Sequence, residues 1–524
     1  MQPLEGEGYV TDVAYTAGFY PHLAPLALSY VAALNGLRPP DLSGPFRYLE
    51  LGCGFGRTLT TLAAANPLGE FVAVDLNPLH TEAIERIVAA GGLTNVRVVT
   101  ADFAHLPEDL GTFDFITLHG VLSWVSAGVR QQVADIARTR LAAGGLLLAS
   151  YNTQPGWSHL QPIRAILRQY AALLEGDSLQ RMDKAVGYLV YLRDQHARYF
   201  TENPAAAAYV EKLTTMDRRY LVHEYLHDHW SPFYFGDIAE LFGGADLGFV
   251  GSLPALTNFW DLCVAPEFYD LFRDSNDRIV LETHKDFCAN TMFRWDIYTR
   301  QSQRLDGPQD RLGLPGAPQF GLAKQDTELP WTANLGVVVS TLDGPLYASL
   351  VERLEVGSAT LAELVHDLAV RQFGADDVIS AVDTAVALSM VELVGGPMAP
   401  KGSVRTKGGH AVRRLDVPSA YNRAVLDAGY LGGEPLALAS EGTRSGQVVG
   451  DIDAAIIHEL LNRGESGLVK RIDAALVARG RTLFKEGEPI ADSSTRQGVI
   501  SELYDTFRSS TLPELIRQGI VTRD

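Results

Sequence analysis

Residues 46–58 read FRYLELGCGFGRT. The first six are apolar apart from Arg47 and Glu50, the pattern of a strand buried on both faces. Glycines 52, 54 and 56 then make a tight turn, and RTLTTLAAA opens a helix. The alternation continues outward. EFVAVDL (70–76) reads as a strand, LHTEAIERIVAA (79–90) as a helix, and VRVVTAD (96–102) and FDFITLHG (113–120) as strands. Helix GVRQQVADIARTRLAAGG (128–145) and strand LLLASYN (146–152) follow. Strands alternating with helices predict an α/β fold with a Rossmann-like, doubly wound sheet, whose ligands bind at the C-terminal ends of the strands.

The turn discriminates between cofactors. A dinucleotide fingerprint, G-x-G-x-x-G, requires glycine at 57, where Arg57 stands. A pyrophosphate needs that third glycine and the helix N–H groups. S-adenosylmethionine carries no phosphate and needs small residues that let the backbone approach its methionyl and ribose groups. Asp75 is placed to accept the ribose hydroxyls, and Asp102 to bond the adenine amine. The expected cofactor contacts are therefore Glu50, Gly52, Cys53, Gly54 and Gly56 in the loop, Asp75 and Leu76 after the second strand, Asp102 and Phe103 after the third, and His119 after the fourth.

Composition sets wider bounds. The chain has 524 residues, 46% hydrophobic and 20% charged, as in a folded multidomain protein. A formal charge of −19 disfavours a nucleic-acid partner, which needs basic surface. Apolar runs are too short for membrane insertion, and no signal peptide is evident, so a cytoplasmic protein is expected. The three cysteines, Cys53, Cys263 and Cys288, are too scattered for a disulfide framework or a metal knuckle.

More specific motifs support these readings. YLELGCGFGRTL, FVAVDLNP, ADF and LAAGGLLLASYN resemble the successive motifs of class I S-adenosylmethionine-dependent methyltransferases. YPH after YTAGF, HGVLSWV (119–125), YNTQPGW (151–157), HEYL (223–226) and DFCANTMFR (286–294) resemble the bacterial methyltransferases that carry a methyltransferase regulatory domain. Protein lysine methyltransferases of bacterial surface proteins are in that group. The similarity covers roughly residues 9–300.

HEYLH (223–227) also matches the H-E-x-x-H signature of zinc peptidases. In the resembled group only HEYL recurs, and the following DHWSPFYF brings Pro232, which a helix interior excludes. No metal ligands are assigned. PFYFGDIAELFGGADLGFVGSL (232–253) reads as the closing strand, helix and strand of the sheet, so 156–230 become a helical insertion and HEYL returns the chain to the sheet, with His223 and Glu224 near the cofactor crevice.

Methyl transfer needs a deprotonated nucleophile held in line with the donor methyl, in a site closed to water. An aromatic, desolvated pocket suits a neutral lysine and its methylated products. Strand-end loops supply Trp124, Tyr151, Asn152 and Trp157, with Ser123 beside them. His223 is the candidate base. Tyr9, Tyr15 and Tyr20 are candidates for a lid, Tyr15 also for the catalytic set. The Asn/Asp-Pro-Pro-aromatic tetrapeptide of nucleic-acid amino-methylating enzymes is missing after the fourth strand, and Asn77–Pro78 is a turn elsewhere.

The expected division is a lid over 1–45, a cofactor domain over 46–155 and 231–264, and a helical regulatory or substrate region over 156–230 and 265–302. A Gly/Pro-rich linker (303–329), a winged-helix-like domain (330–419) and a mainly helical C-terminal domain (420–524) complete it. Helix TLAELVHDL has few basic residues, so the winged-helix-like part is expected to pack or dock proteins and not to bind DNA. The basic run VRTKGGHAVRR (404–414) reads as a solvated loop, and RSGQVVG (444–450) as a turn.

These readings converge on a methyltransferase that N-methylates lysine in a protein or peptide substrate. A small-molecule or peptide natural-product substrate is the second enzymatic reading, and a donor-binding regulator without turnover is the third. Arg57 disfavours a dehydrogenase.

Overall fold

The computed structural model describes residues 18–227, 229–275, 277–324, 327–399, 414–485 and 487–523. Tyr9, Tyr15 and residues 404–413 of the basic run lie outside them. Seven strands make one sheet: β1 (Phe46–Leu51), β2 (Gly69–Asp75), β3 (Val96–Thr100), β4 (Phe113–Leu118), β5 (Leu141–Asn152), β6 (Gly248–Leu253) and β7 (Phe293–Thr299). Their order is β3-β2-β1-β4-β5-β7-β6, with β7 antiparallel to both neighbours. The order reverses between β1 and β4, which fixes the ligand crevice at their C-terminal ends.

Successive residues of the central strands bury on opposite faces. Tyr48, Phe71, Ala73, Phe115 and Leu148 enter one core; Leu49, Val72, Val74, Ile116 and Leu147 enter the other. Each Val, Leu, Ile or Phe among them contributes roughly 1.5–3 kcal/mol by leaving water, which is why these strands read as nearly unbroken apolar runs. The sheet is flanked by α1 (Pro25–Leu34), α2 (Arg57–Ala65), α3 (Pro78–Gly91) and α4 (Ala127–Arg140). Asn77–Pro78 starts α3: the Asn77 side chain accepts the Leu79 N–H at 3.0 Å and proline takes the first helical position.

Between β5 and β6 the chain makes α5 (Gln161–Ala171), α6 (Ser178–Asp194), α7 (Arg198–Glu202), α8 (Pro204–Thr215) and α9 (Arg218–Leu226), which share a core of their own around Leu167, Val186, Leu213 and Val222. Then comes α10 (Phe235–Gly243), and between β6 and β7 come α11 (Trp260–Cys263), α12 (Tyr269–Arg273) and α13 (Arg278–Ala289).

Here the structure differs from the sequence reading. Of the expected closing strand–helix–strand, α10 and β6 form, but Phe233 makes only a single bridge, to Thr153. The strand that pairs with both β5 and β6 is β7, FRWDIYT, inside the stretch read as helical. Its charges hid it. Arg294 and Asp296 are buried, and Arg294 bonds Asp296, Glu282 and Asp286 at 2.8–3.0 Å, so the ion cluster replaces an apolar pattern.

The stretch read as a linker holds a 3-10 turn, Pro308–Gly313, and strand β8 (Gln319–Leu322), the centre of a three-stranded sheet with Ala359–Thr360 and Val391–Val394. Gly and Pro mask two anchors there: Phe320 is buried, and Arg311 forms a buried two-point bond to Asp383 at 2.6 and 2.8 Å. Helices Pro345–Leu354, Leu361–Ala369 and Ala375–Ala387 pack with this sheet.

The C-terminal part is not all helical. Residues read as a turn form the strand Ser445–Val449, antiparallel to Leu436–Ser440. Gly446 serves close approach, not a turn: a Cβ there would stand 2.5 Å from Thr61 Cγ2 on α2. Beside it the Tyr421 hydroxyl lies 3.0 and 2.9 Å from the hydroxyls of Thr60 and Thr61. The helix that carries the glycine loop is thus held by the C-terminal domain.

Candidate functional site

The loop after β1 is shaped by its glycines. Gly52, Gly54 and Gly56 all have positive φ, and a Cβ would meet Val121 at Gly52 and Ile84 at Gly56. Nothing stands over Gly54. The Gly52 and Cys53 N–H groups donate to Val74 C=O at 2.8 and 3.1 Å, which ties the loop to the end of β2. Arg57 turns away from the crevice and donates to Pro435 C=O at 2.8 Å and Glu434 at 3.2 Å.

Asp75 organises this corner. One carboxylate oxygen accepts the Gly54 N–H at 2.8 Å; the other accepts Asn77 N–H at 2.9 Å and lies 3.0 Å from His80 Nδ1. Three of its roughly four acceptor positions are used, so one stays open for a ligand hydroxyl. Glu50 is buried beside it, and its Oε2 has no hydrogen-bond partner. Burial first, and then the Asp75 charge, push the Glu50 carboxyl up to about 8. An orphaned acid beside an open glycine loop matches a cationic ligand group.

Further along the edge, Leu76 is exposed and Phe103 is half-buried next to Gly52. Asp102 is exposed and lies 2.7 and 2.8 Å from His105 Nδ1, which lowers its pKa. His119 is the hub of an aromatic cluster. Its ring stacks on Trp295 at 4.3 Å, with Tyr20 tilted against it at 3.9 Å, and its Nδ1 lies 2.8 Å from Ser150 Oγ. Burial, helped by His22, brings its pKa down to about 3, so this ring is a neutral wall. Tyr20 is anchored by its N–H to Thr58 Oγ1 at 3.1 Å, and its phenol is raised by burial and by Glu50.

The acceptor candidates separate. Asn152 ends β5 at the crevice edge, and its side chain donates to Glu224 Oε1 at 3.3 Å. Trp124 is half-buried on the 3-10 turn Leu122–Trp124 that follows β4. Tyr151 does not reach the crevice: it is fully buried, with its hydroxyl 2.5 Å from Asp296 in the β7 ion cluster. Strand alternation explains this, since neighbours in β5 point to opposite faces. Trp157 is core of the helical insertion, edge-on to Trp230 at 5.0 Å. His223 is buried, its ring 5.8 Å from that of His227. Helix α9 ends at Leu226 and His227 is extended, so the two rings do not share one helix face as zinc would require. Among the described residues no group of three or more His, Cys, Asp or Glu side chains could hold a metal.

Residues 49–147 match the family described as methyltransferase domain, and residues 217–300 match the predicted methyltransferase regulatory domain. The protein is an S-adenosylmethionine-dependent methyltransferase. The second match spans α9, β6, α13 and β7, so the regulatory segment of this methyltransferase supplies part of its sheet. An uncharacterized protein of Synechocystis, sll1526, is 29% identical over 515 residues, 98% of this chain and 99% of that one. RP789 of Rickettsia prowazekii is 27% identical over 58% of this chain and 56% of its own. PKMT2 from Rickettsia typhi, solved in complex with AdoHcy, superposes with a TM-score of 0.66 at 17% identity, covering 94% of this methyltransferase and 98% of that chain. The fold is shared almost end to end. No helix among the described residues is long and apolar enough to cross a membrane.

Trp295, Phe293 and Ser150 were not singled out from sequence. Trp295 sits in the strand whose charges concealed it. The signal was its place two residues after Phe293, on the same face of β7.

Proposed function

We propose that this methyltransferase N-methylates lysine side chains of a protein substrate. The observation that carries the reading is the end-to-end fold shared with PKMT2, named as a protein lysine methyltransferase, which includes the insertion and the C-terminal domains as well as the sheet. In this reading Gly52, Cys53 and Gly54 line the donor, Glu50 faces its cationic methionyl end, and Asp75 offers its open acceptor position to the ribose. Leu76 and Phe103 flank the base, and Asp102 accepts its amine. When bound, the donor supplies an electrophilic methyl on sulfonium. The chain's own part is to orient, to exclude water and to take a proton. The stacked Trp295 and His119 with Tyr20 give an uncharged aromatic wall, favourable to a cationic donor.

The test is transfer of label from methyl-tritiated S-adenosylmethionine into a lysate from the source cells, separated into protein and small-molecule fractions. Alkali-stable label in discrete protein bands, recovered as methyl-lysine after acid hydrolysis, is the expected result. Label confined to small molecules overturns it.

A further inference from the structure

Glu224 follows His223 on α9, and its position is set from the sheet. Asn152, which bonds it, is itself fixed: its backbone N–H donates to Ser123 Oγ at 2.9 Å and its C=O accepts the Phe233 N–H at 2.9 Å. The carboxyl is thereby pinned above the C-terminal end of β5, on the side of the sheet where acceptors approach.

Tyrosines of α8 and α9 lie near it. The Tyr209 and Tyr225 hydroxyls lie 2.7 Å apart, and Tyr220 is one turn before Glu224 on the same helix. Burial raises all three phenols, and the Glu224 charge adds to each. Tyr220 also feels the charge of Tyr20, whose ring rests on His119 at the cofactor crevice. Trp230 is near enough for its indole to pull the acid's pKa down. Arg164 of α5 is the cation whose field reaches it, but that guanidinium donates to His227 C=O and lies over the Trp230 ring at 4.9 Å. An open recess of about 420 Å³, bordered by Gln154, Gln161, Arg164, Trp230, Ser231 and Pro232, lies alongside.

A buried acid with tyrosines and a tryptophan nearby is chemically suited to receive an ammonium group, since carboxylate and ring faces both attract it. We propose that Glu224 receives the ammonium of the acceptor lysine and takes its proton, with Tyr209, Tyr220 and Tyr225 forming the wall of that pocket. This rests on the lysine reading given above. The Nζ–H bond breaks and the proton moves to the Glu224 carboxylate. The freed nitrogen lone pair forms the N–C bond to the donor methyl while the C–S electron pair stays on sulfur. The acid then returns its proton to solvent. Burial holds the Glu224 carboxyl up to about 7, despite bonds and charges that pull it down, which suits an acceptor of protons near neutral pH. In this scheme the proton goes to Glu224 and not to His223.

The experiment compares wild type with Glu224→Gln between pH 6 and 9, reading the initial rate at which tritiated methyl enters lysine of the lysate protein fraction. Glutamine keeps the oxygen that Asn152 bonds but cannot take the proton. The expected loss is on the order of 100-fold, with the acid limb of the wild-type profile near pH 7 abolished. S-adenosylhomocysteine affinity, measured by calorimetry, should stay unchanged. Glu224→Asp should recover part of both rate and limb. A glutamine variant with the wild-type rate and limb overturns the assignment. If that variant binds no S-adenosylhomocysteine, the wild-type profile decides: a rate flat from pH 6 to 8 overturns it, and a limb retained by Glu224→Asp supports it. Absence of methyl-lysine from wild type would overturn the lysine reading itself, and this assignment with it.

Discussion

Glu50, next to last in β1, and Asp75, the last residue of the adjacent β2, carry carboxyls that feel each other's charge. Burial and the neighbouring charge push Glu50 up to about 8, far above an ordinary carboxyl. Below the unfolded value, near 4.5, the group is protonated folded or unfolded and costs nothing. Between there and about 8 the folded protein keeps a proton that the unfolded chain has already lost, so stability falls across that range and levels off above it at its lowest. Glu50→Gln should therefore raise the melting temperature of the donor-free protein more at pH 9 than at pH 6. An equal shift at both pH values would contradict the raised pKa.

The same pair predicts how the donor binds. A cation beside Glu50 favours its ionised form, so binding near pH 7 should release a proton. Calorimetry in buffers of different ionisation enthalpy should show about one proton released for wild type and none for Glu50→Gln.

Asp75 has a double load: it secures Gly54 and Asn77 and keeps one acceptor position open. Asp75→Ala should weaken donor binding on the order of 100-fold or more, since a multiply bonded buried carboxylate is lost together with the loop it holds. Unchanged affinity by calorimetry would remove the crevice assignment.

The loop–strand core was legible because a class I crevice needs glycines where no Cβ fits, and because doubly covered strands are written in apolar residues. The rest was hidden by substitution of one physics for another. β7 is held by an ion cluster around Arg294 where apolar alternation would normally announce a strand. Gly446 marks a close approach of a strand to α2, which in sequence is indistinguishable from a turn glycine. Tyr151 and Trp157 fit a pocket by composition, yet strand alternation and the insertion's own core take them away from it. Asn152 points the other way and meets Glu224, a pairing across 72 residues that only folding brings together.

The Arg294 cluster makes the strongest stability prediction. Burial alone would raise Glu282, but Lys285 and Arg294 outweigh it and bring it down to about 2; Asp286, raised first by burial, sits at about 6. Removing the arginine leaves Asp286 and Asp296 buried without its bonds, with only Lys285 still paired to Glu282, at a cost of about 3–5 kcal/mol. Arg294→Met should lower the melting temperature markedly, and more at pH 8 than at pH 5, where protonation of Asp286 relieves part of the repulsion. Arg294→Lys should rescue little, because one ammonium cannot reproduce the bonds to Glu282, Asp286 and Asp296.

The C-terminal domain's hold on α2 can be broken at one atom. At Gly446 a Cβ would lie 2.5 Å from Thr61 Cγ2 and 3.0 Å from Phe19 Cζ, so Gly446→Val forces the hairpin away from α2. Overpacking of this kind costs about 1–3 kcal/mol, enough to loosen a docking contact without unfolding either domain. Limited proteolysis should then release a C-terminal fragment. Donor affinity should fall as well, because α2 begins at the glycine loop and Tyr421 no longer holds Thr60 and Thr61. Tyr421→Phe removes only the hydroxyl bonds, about 0.5–1.5 kcal/mol, and should give a smaller change in the same direction. Easier cleavage with donor affinity unchanged would mean that the C-terminal domain stands on α2 without shaping the loop.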